Sequence, residues 1–571
     1  MTHLTRFVRR AIEAWPHRVP GPLAASLGRL AFAVSLAACG TDATSNPAQD
    51  ELAARVTTSE ARFDPLIAAV HADLASSGAS GIAVAVIEHG RLELARGFGT
   101  KGPAGGAPVD AGTLFRIGSV TKMMTATAVL QQVAAGKVDL SAPVTRYVPD
   151  FHFDRDPSWA PSITIHQLLT HSSGMFDFLV ANAAADQQTD GALRSFLTTE
   201  FGADDYLMVP AGTFWNYSNP NFYLAGLVAE QTGGMPYRAL MKRRIFDPLC
   251  MTRTLFLGSE VLADGDYALG TNLTDPTLPA LITPDTYDNP WARPAGFAWS
   301  NVEDLARFAE FLMNGNGDVL PSGLHSAMQS PQVNTQLEAD LLHYGYGLVV
   351  QQGFFVGSPF YGVKLVWHNG DIPGFSALIA IVPSLQFGFV ALANIDNVGF
   401  DNSLTAALQT LAELPAPVPP PDLSIDPSSF GKYVGVYHDA FLVGDITVMV
   451  SGNDLAVDIP ALAQLGLGYD HVLVPSAPDN FSLTLRDPST GAIASQLPVT
   501  FLTDGSGQMR YFRTREAVGI RSAAVASPHG LPSLTAAVRQ ARVRALLRPQ
   551  PPRPLGLATA PIELNTGSVA N

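Results

Sequence analysis

The chain has almost no cysteine: two residues in 571, Cys39 and Cys250. That count excludes a disulfide framework and a cysteine-built metal cluster. Basic residues are scarce as well, with 35 Lys and Arg against 50 Asp and Glu and a formal net charge of −15. Such an acidic chain repels phosphate backbones, which argues against a nucleic-acid partner. The apolar run near the start, Leu30 to Ala38, is too short to cross a bilayer stably. There is no G-x-S-x-G nucleophile elbow and no H-E-x-x-H zinc motif. His166 and His171 lie five apart, off one helical face, so a shared metal is a poor reading and core or hydrogen-bonding roles are better. No metal and no cofactor is implied. What is present is globular: 47% hydrophobic and 15% charged residues. A chain this long exceeds one compact core, so two or more domains are expected.

The start reads as a targeting segment. Arg6, Arg9, Arg10, Arg18 and Arg29 precede Leu30–Ala38, a basic region followed by an apolar one. The run ends Leu36-Ala37-Ala38-Cys39-Gly40, which resembles a bacterial lipobox, where small residues admit the peptidase and the thiol carries the lipid. Residues 1–38 are read as a signal peptide and Cys39 as the lipidation site. The expected location is the bacterial cell envelope, held to a membrane by the lipid, on the periplasmic or outer-membrane side; the alternative is secretion with a chance cysteine. Cys250, in the apolar stretch Phe246–Met251, is read as core filler.

Composition divides the rest. Residues 39–50 form a tether. Residues 51–414 hold a hairpin at 82–98, a helix from Ser119 to about Ala135, mixed helices and loops to about 340, and strands at 345–351, 362–368, 376–383 and 387–393. A helix over 401–413 closes the region. Ser300-Asn301-Val302-Glu303 has the spacing of a capping box. Strands first, helices in the middle and strands last imply an α+β fold, an antiparallel sheet whose two ends meet in space around a helical insertion. Residues 415–429 are a Pro-rich linker. Residues 430–523 alternate short β segments with turns and read as a small β-barrel or sandwich. Residues 524–571, Pro/Ala-rich and basic, read as a disordered tail.

Three short patterns carry chemistry, and each has a decoy. In Ser119-Val120-Thr121-Lys122 the first and fourth residues share a helical face, so the amine reaches the hydroxyl. The flank Met123 to Leu130 has no charge, so Lys122 should be desolvated and its pKa lowered, as suits a base. The second copy, Ser429-Phe430-Gly431-Lys432, lies between the linker and a β segment, where positions i and i+3 are not expected to face each other. In Tyr217-Ser218-Asn219 a phenol can move a proton and an amide can bind a substrate amide; its decoy is Tyr287-Asp288-Asn289. In His368-Asn369-Gly370 a glycine lets a strand edge lie close to a ligand; its decoy is His343-Tyr344-Gly345.

The order and spacing of these three patterns over residues 80–413 resemble the serine β-lactamase and penicillin-binding-protein family, in its class C β-lactamase, DD-carboxypeptidase and esterase branch. Phe115-Arg116-Ile117-Gly118, Ile165 to Gly174, Pro210-Ala211-Gly212 and Asp371-Ile372-Pro373-Gly374-Phe375 extend the likeness. The resemblance implies a β-lactamase/transpeptidase-like fold with a C-terminal barrel-like appendage. It implies an acyl-enzyme on Ser119, with Lys122 and Tyr217 moving its proton. Asn219 would bind substrate amide. The N–H groups of Ser119 and Asp371, the residue after Gly370, would form the oxyanion hole. His368 would hold the substrate's far polar end or tune Tyr217. Since that position is His and not Lys, it looks more like DD-peptidases, D-aminopeptidases and esterases than dedicated β-lactamases. The expected activity is hydrolysis of an amide or ester in a small molecule or peptide, as a D-Ala-D-Ala carboxypeptidase or β-lactamase-like enzyme, with peptidoglycan a candidate partner. A carboxylesterase of short acyl esters and a non-catalytic penicillin-binding or envelope scaffold are the alternatives.

Overall fold

The computed structural model describes residues 60–103, 105–177, 189–275, 278–286 and 288–521, together with residues 543, 546 and 547. The signal segment, Cys39 and the tether lie outside the described residues, as does most of the tail.

The architecture follows from where apolar residues repeat. After the helix Asp64–Ser77 (α1), the strands Gly81–Glu88 (β1) and Arg91–Gly99 (β2) form the expected hairpin. Every residue of β1 is buried. Ile82, Val84 and Val86 face one core and Ala83, Ala85 and Ile87 the other, so β1 is a central strand with both faces covered. The chain then leaves the sheet for a long, mostly helical excursion. This includes the helices Thr121–Ala134 (α2), Pro220–Gly233 (α3) and Val302–Asn314 (α4). The strands Val333–Asn334 (β3), Leu342–Tyr344 (β4), Val349–Phe355 (β5), Phe360–Ile372 (β6), Phe375–Val382 (β7) and Phe387–Ala393 (β8) return, followed by the helix Asp401–Leu411 (α5).

The eight strands form one sheet in the order β2-β1-β8-β7-β6-β5-β4-β3. Val84 of β1 pairs with Ala391 of β8, antiparallel, so the first and last strands of the region lie side by side. α1 and α5 cover one face, placing Leu66, Val70, Leu404 and Leu408 against Val84 and Val86. On the other face α4 brings Leu305, Phe308 and Leu312 to Ala83 and Ile87, in the same core as α2 and α3. The cap of α4 is one residue later than the capping-box spacing suggests. Asn301 accepts from Asp304 N at 2.8 Å, while the Ser300 hydroxyl bonds Thr254 Oγ1 at 2.9 Å. Cys250 also departs from its expected role. It is half-buried at a turn with φ 56°.

The C-terminal strands are Gly435–Asp439 (β9), Gly444–Ser451 (β10), Asp454–Asp458 (β11), Val472–Ala477 (β12), Asn480–Arg486 (β13), Ile493–Thr503 (β14), Met509–Arg513 (β15) and Val518–Arg521 (β16). Neighbours in sequence are neighbours in space, β16 returns to β9, and β14 pairs with β13. The result is a closed eight-stranded up-and-down barrel, with the short strand Gly468–Tyr469 added beside β13. Tyr433, Tyr437, Phe481, Phe501 and Phe512 fill its interior. Val543, Leu546 and Leu547 of the tail pack on that same core.

The barrel is docked on the helical excursion through aromatic rings. Tyr206 is stacked between Phe176 and Phe441, with ring centroids 5.0 and 4.0 Å away, and Phe214 meets Tyr511 edge-on.

Candidate active site

Ser119 sits at the mouth of α2, in the 3-10 turn Gly118–Val120 that leads into the helix. Residues 121–130 of α2 are all buried, which explains the absence of charge along its flank. Lys122, one turn deeper, is fully buried, and Ser119 itself is partly exposed. Tyr217 and Asn219 arrive on the loop that opens α3, where Pro220 is the first helical residue.

The three groups converge on one oxygen. Ser119 Oγ lies 2.9 Å from Lys122 Nζ and 2.9 Å from Tyr217 Oη. Lys122 Nζ also donates to Asn219 Oδ1 and to the carbonyl oxygen of Ala295, both at 2.7 Å. Those two oxygens can only accept, so they take two N–H bonds. A neutral amine then keeps its lone pair for the Ser119 hydroxyl. Burial favours that neutral form: it holds the Lys122 pKa well below the usual lysine range, against the pull of the nearby Asp177 carboxylate.

Asp177 anchors the opposite side of this network. Its Oδ1 accepts from the backbone N (2.8 Å) and Nδ2 (3.0 Å) of Asn219. Its Oδ2 accepts from Nε (2.8 Å) and Nη2 (2.6 Å) of Arg515. Asn219, expected to meet substrate amide, therefore has its carbonyl oxygen on Lys122 and its nitrogen on Asp177. In this geometry it joins the amine to the buried carboxylate.

The third pattern reaches the site from the end of β6. A Cβ built on Gly370 would lie 2.0 Å from the Ile117 carbonyl oxygen and 3.1 Å from Ser119 N. One built on Gly118 (φ 49°) would lie 2.8 Å from Asp371 N. Two glycines thus let the strand touch the turn and bring the backbone N–H groups of Ser119 and Asp371 together. This is the placement an oxyanion cradle needs. The Asp371 carboxyl accepts from Asn397 N (2.6 Å) and Ser376 Oγ (3.1 Å). Burial and the neighbouring Asp396 outweigh those donors and push its pKa up to about 7.

His368 is placed differently from the expected substrate contact. It is 2% exposed. Its Nδ1 donates to the Asn369 carbonyl (2.6 Å), so Nε2 accepts from Tyr344 Oη (3.0 Å). Burial drives its pKa down to about 3. It is a neutral prop whose ring centroid lies 6.3 Å from that of Tyr217.

The network also includes residues to which the three patterns assign no role. Tyr344 belongs to the decoy His343-Tyr344-Gly345, yet it secures His368. His171, also with positive φ (55°), lays its ring 4.2 Å from the Tyr217 ring, and its Nδ1 accepts from Ser218 N. Asp177 and Arg515 stand 338 positions apart. The decoy Ser429–Lys432 lies on the 3-10 helix Pro427–Tyr433, where i and i+3 do face each other, contrary to the sequence expectation. It is excluded for another reason: both residues are exposed, with Lys432 paired to Asp479 and the Ser429 hydroxyl donating to the Asp426 carbonyl.

Comparisons with known proteins bear on the family and the fold. The sequence model of the beta-lactamase family matches residues 66–413. Esterase EstB of Burkholderia gladioli is 29% identical over 356 residues, spanning 57% of this chain and 89% of that protein. Protein flp of Staphylococcus aureus is 26% identical over 325 residues, 57% of this chain and 61% of flp, less than two thirds of that relative's length. Among solved structures, SurE (22% identical, TM-score 0.58) covers 81% of this chain and 100% of its own. The octameric penicillin-binding protein homologue from Pyrococcus abyssi (22%, TM-score 0.52) covers 80% and 99%. A class C beta-lactamase (20%, TM-score 0.51) covers 62% and 97%. At these identities the structural likeness is one of fold.

Proposed function

The chain belongs to the beta-lactamase family and is a serine hydrolase of amide or ester bonds; from that premise we propose that it works through an acyl-enzyme on Ser119. The observation that carries this reading is the placement of Lys122 Nζ and Tyr217 Oη, each 2.9 Å from Ser119 Oγ. In acylation Lys122 takes the hydroxyl proton as Oγ attacks the carbonyl carbon. The oxyanion is held by the N–H groups of Ser119 and Asp371, donors typically worth about 3 kcal/mol each in the transition state. Tyr217 gives its proton to the leaving group. In deacylation water attacks the acyl carbon, Tyr217 regains a proton from that water, and Lys122 returns its own to Oγ.

For the substrate, we favour an ester or amide bound without an obligatory carboxylate. His368, buried and neutral, offers no charge to pair with one. The named relative EstB is an esterase. We place Cys39 as the lipidated residue that ties the enzyme to the cell envelope.

A panel of p-nitrophenyl esters, nitrocefin and a D-Ala-D-Ala peptide tests the substrate reading. Turnover of neutral short-chain esters by wild type and not by Ser119→Ala is expected. Turnover of the D-Ala-D-Ala peptide alone would replace the esterase reading with a carboxypeptidase one. Inertness throughout would leave the scaffold reading. Incorporation of labelled palmitate into wild type but not Cys39→Ser checks the anchor.

A further inference from the structure

The barrel reaches the catalytic centre through the turn between β15 and β16. Between β15 and β16, residues 514–517 fold back on themselves, with Thr514 N donating to the Ala517 carbonyl at 2.8 Å. The turn is pinned to the loop that carries Tyr217. Asn216 Nδ2 donates to the carbonyls of Thr514 and Arg515, and Arg513 Nη1 donates to the Trp215 carbonyl at 2.7 Å. Arg513 Nη2 also bonds the Thr335 carbonyl and Thr500 Oγ1, tying the turn to both the sheet region and the barrel wall.

From this turn Arg515 enters the site. Its side chain is 12% exposed and pairs with Asp177, whose side chain is fully buried. Its guanidinium carbon stands 4.7 Å from the centroid of the Tyr217 ring. Lys122 Nζ stands 5.1 Å from the same centroid. A continuous polar path thus runs from the barrel to the nucleophile: Arg515, Asp177, Asn219, Lys122, Ser119.

We propose that Arg515 is a positioning residue for the Ser119 centre, so that the barrel completes a catalytic site which the β-lactamase-like region holds only in part. The proposal rests on the acyl-enzyme reading above and deepens it. Asp177 needs a cation to stay buried and charged, and Arg515 supplies it. Asp177 in turn fixes both the backbone and the side chain of Asn219, which aims Lys122 at Ser119. The guanidinium also favours negative charge on the Tyr217 ring at the step where the phenol gives up its proton. Arg515 has a planar fork, which holds carboxylate and ring at once in a way a lysine cannot.

The test uses the full-length chain and the pre-steady-state burst of p-nitrophenol from p-nitrophenyl acetate, which isolates acylation. Arg515→Gln and Asp177→Asn should each slow the burst by about 10- to 100-fold while KM stays within about threefold. Arg515→Lys should restore part of the rate. Each single change leaves an unpaired buried charge, so the double variant Asp177→Asn/Arg515→Gln separates folding from positioning. It should melt close to wild type and still acylate slowly. The pH–rate profile is recorded alongside, because Lys122, His171, Tyr344, His368, Asp177, Asp371 and the buried Glu516 also face the phenol or the guanidinium. Its limb should move in Arg515→Gln, which a purely structural loss would not produce. A double variant that acylates within about threefold of wild type overturns the proposal. So does a loss confined to KM or to anionic substrates, which would make Arg515 a substrate contact. A wild-type chain with no Ser119-dependent burst overturns the acyl-enzyme reading itself, and that outcome is distinct from the others.

Discussion

Substituting Gly370 by alanine tests the oxyanion cradle without touching a polar group. The added methyl would start 2.0 Å from the Ile117 carbonyl oxygen, whereas real Cβ contacts essentially never fall under 3.0 Å. The obstacle is backbone and cannot swing away, so β6 and the Ser119 turn must part by about 1 Å. Misplacement on that scale costs on the order of 10²-fold in rate. Withdrawing one of the two donors altogether costs about 10²- to 10³-fold, or about 3–4 kcal/mol of transition-state stabilisation. The same overpacking should lower stability by about 1–3 kcal/mol. We therefore expect Gly370→Ala to fold, to melt somewhat earlier, and to lose at least about 10²-fold in the burst rate with little change in KM. The assay is stopped-flow release of p-nitrophenol, with circular dichroism as the folding control. A folded Gly370→Ala that acylates at the wild-type rate would refute the assignment of the Ser119 and Asp371 N–H groups as the cradle.

Lys122→Ala removes the base and should slow acylation by about 10²- to 10⁴-fold, read from the same burst. The acid limb of kcat/KM should belong to Lys122 and lie well below the usual lysine range; His368→Gln should leave it in place, since that imidazole is neutral down to about pH 3. Tyr344→Phe strips the donor from the buried His368 Nε2 and should lower unfolding free energy by about 1–2 kcal/mol, measured by urea titration. The Asp371 carboxyl has a raised folded pKa. Its protonated form adds stability that is fully present near pH 4 and is lost as pH rises through about 7. Melting curves from pH 4 to 8 should show that decline in wild type and a smaller one in Asp371→Asn.

The parts of the site legible in the sequence were those that chemistry places close together along the chain. Ser119 and Lys122 lie one helical turn apart, and the charge-free flank of α2 already implied a buried amine. Tyr217 and Asn219 share one loop, and Gly370 marks the close approach of a strand. The continuous apolar run of β1 and those from 376 to 393 pointed to the antiparallel sheet, because apolar burial on two faces leaves a readable pattern. What stayed hidden has no such local trace. Asp177 and Arg515 meet only because the barrel docks on the excursion through Tyr206, Phe441, Phe214 and Tyr511. The Ala295 contribution is a backbone carbonyl, which any residue could supply. For His368 the pattern left two roles open, a substrate contact or a tuner of Tyr217, because sequence shows its identity but not its neighbours, and Tyr344 decides where its nitrogens point. The Ser429–Lys432 copy misled in a smaller way, since a 3-10 helix of seven residues leaves almost no periodicity.

The meeting of helical excursion and sheet has a mechanical consequence. Ser119, Lys122, Tyr217 and Asn219 ride on the excursion, whereas Gly370 and Asp371 ride on the sheet, and the cradle exists only along the joint between them. A slight slip along that joint would silence the enzyme while every helix and strand stayed intact. On warming, loss of catalysis should therefore run ahead of loss of ellipticity, and the gap between the two temperatures would measure how firmly the joint is clamped.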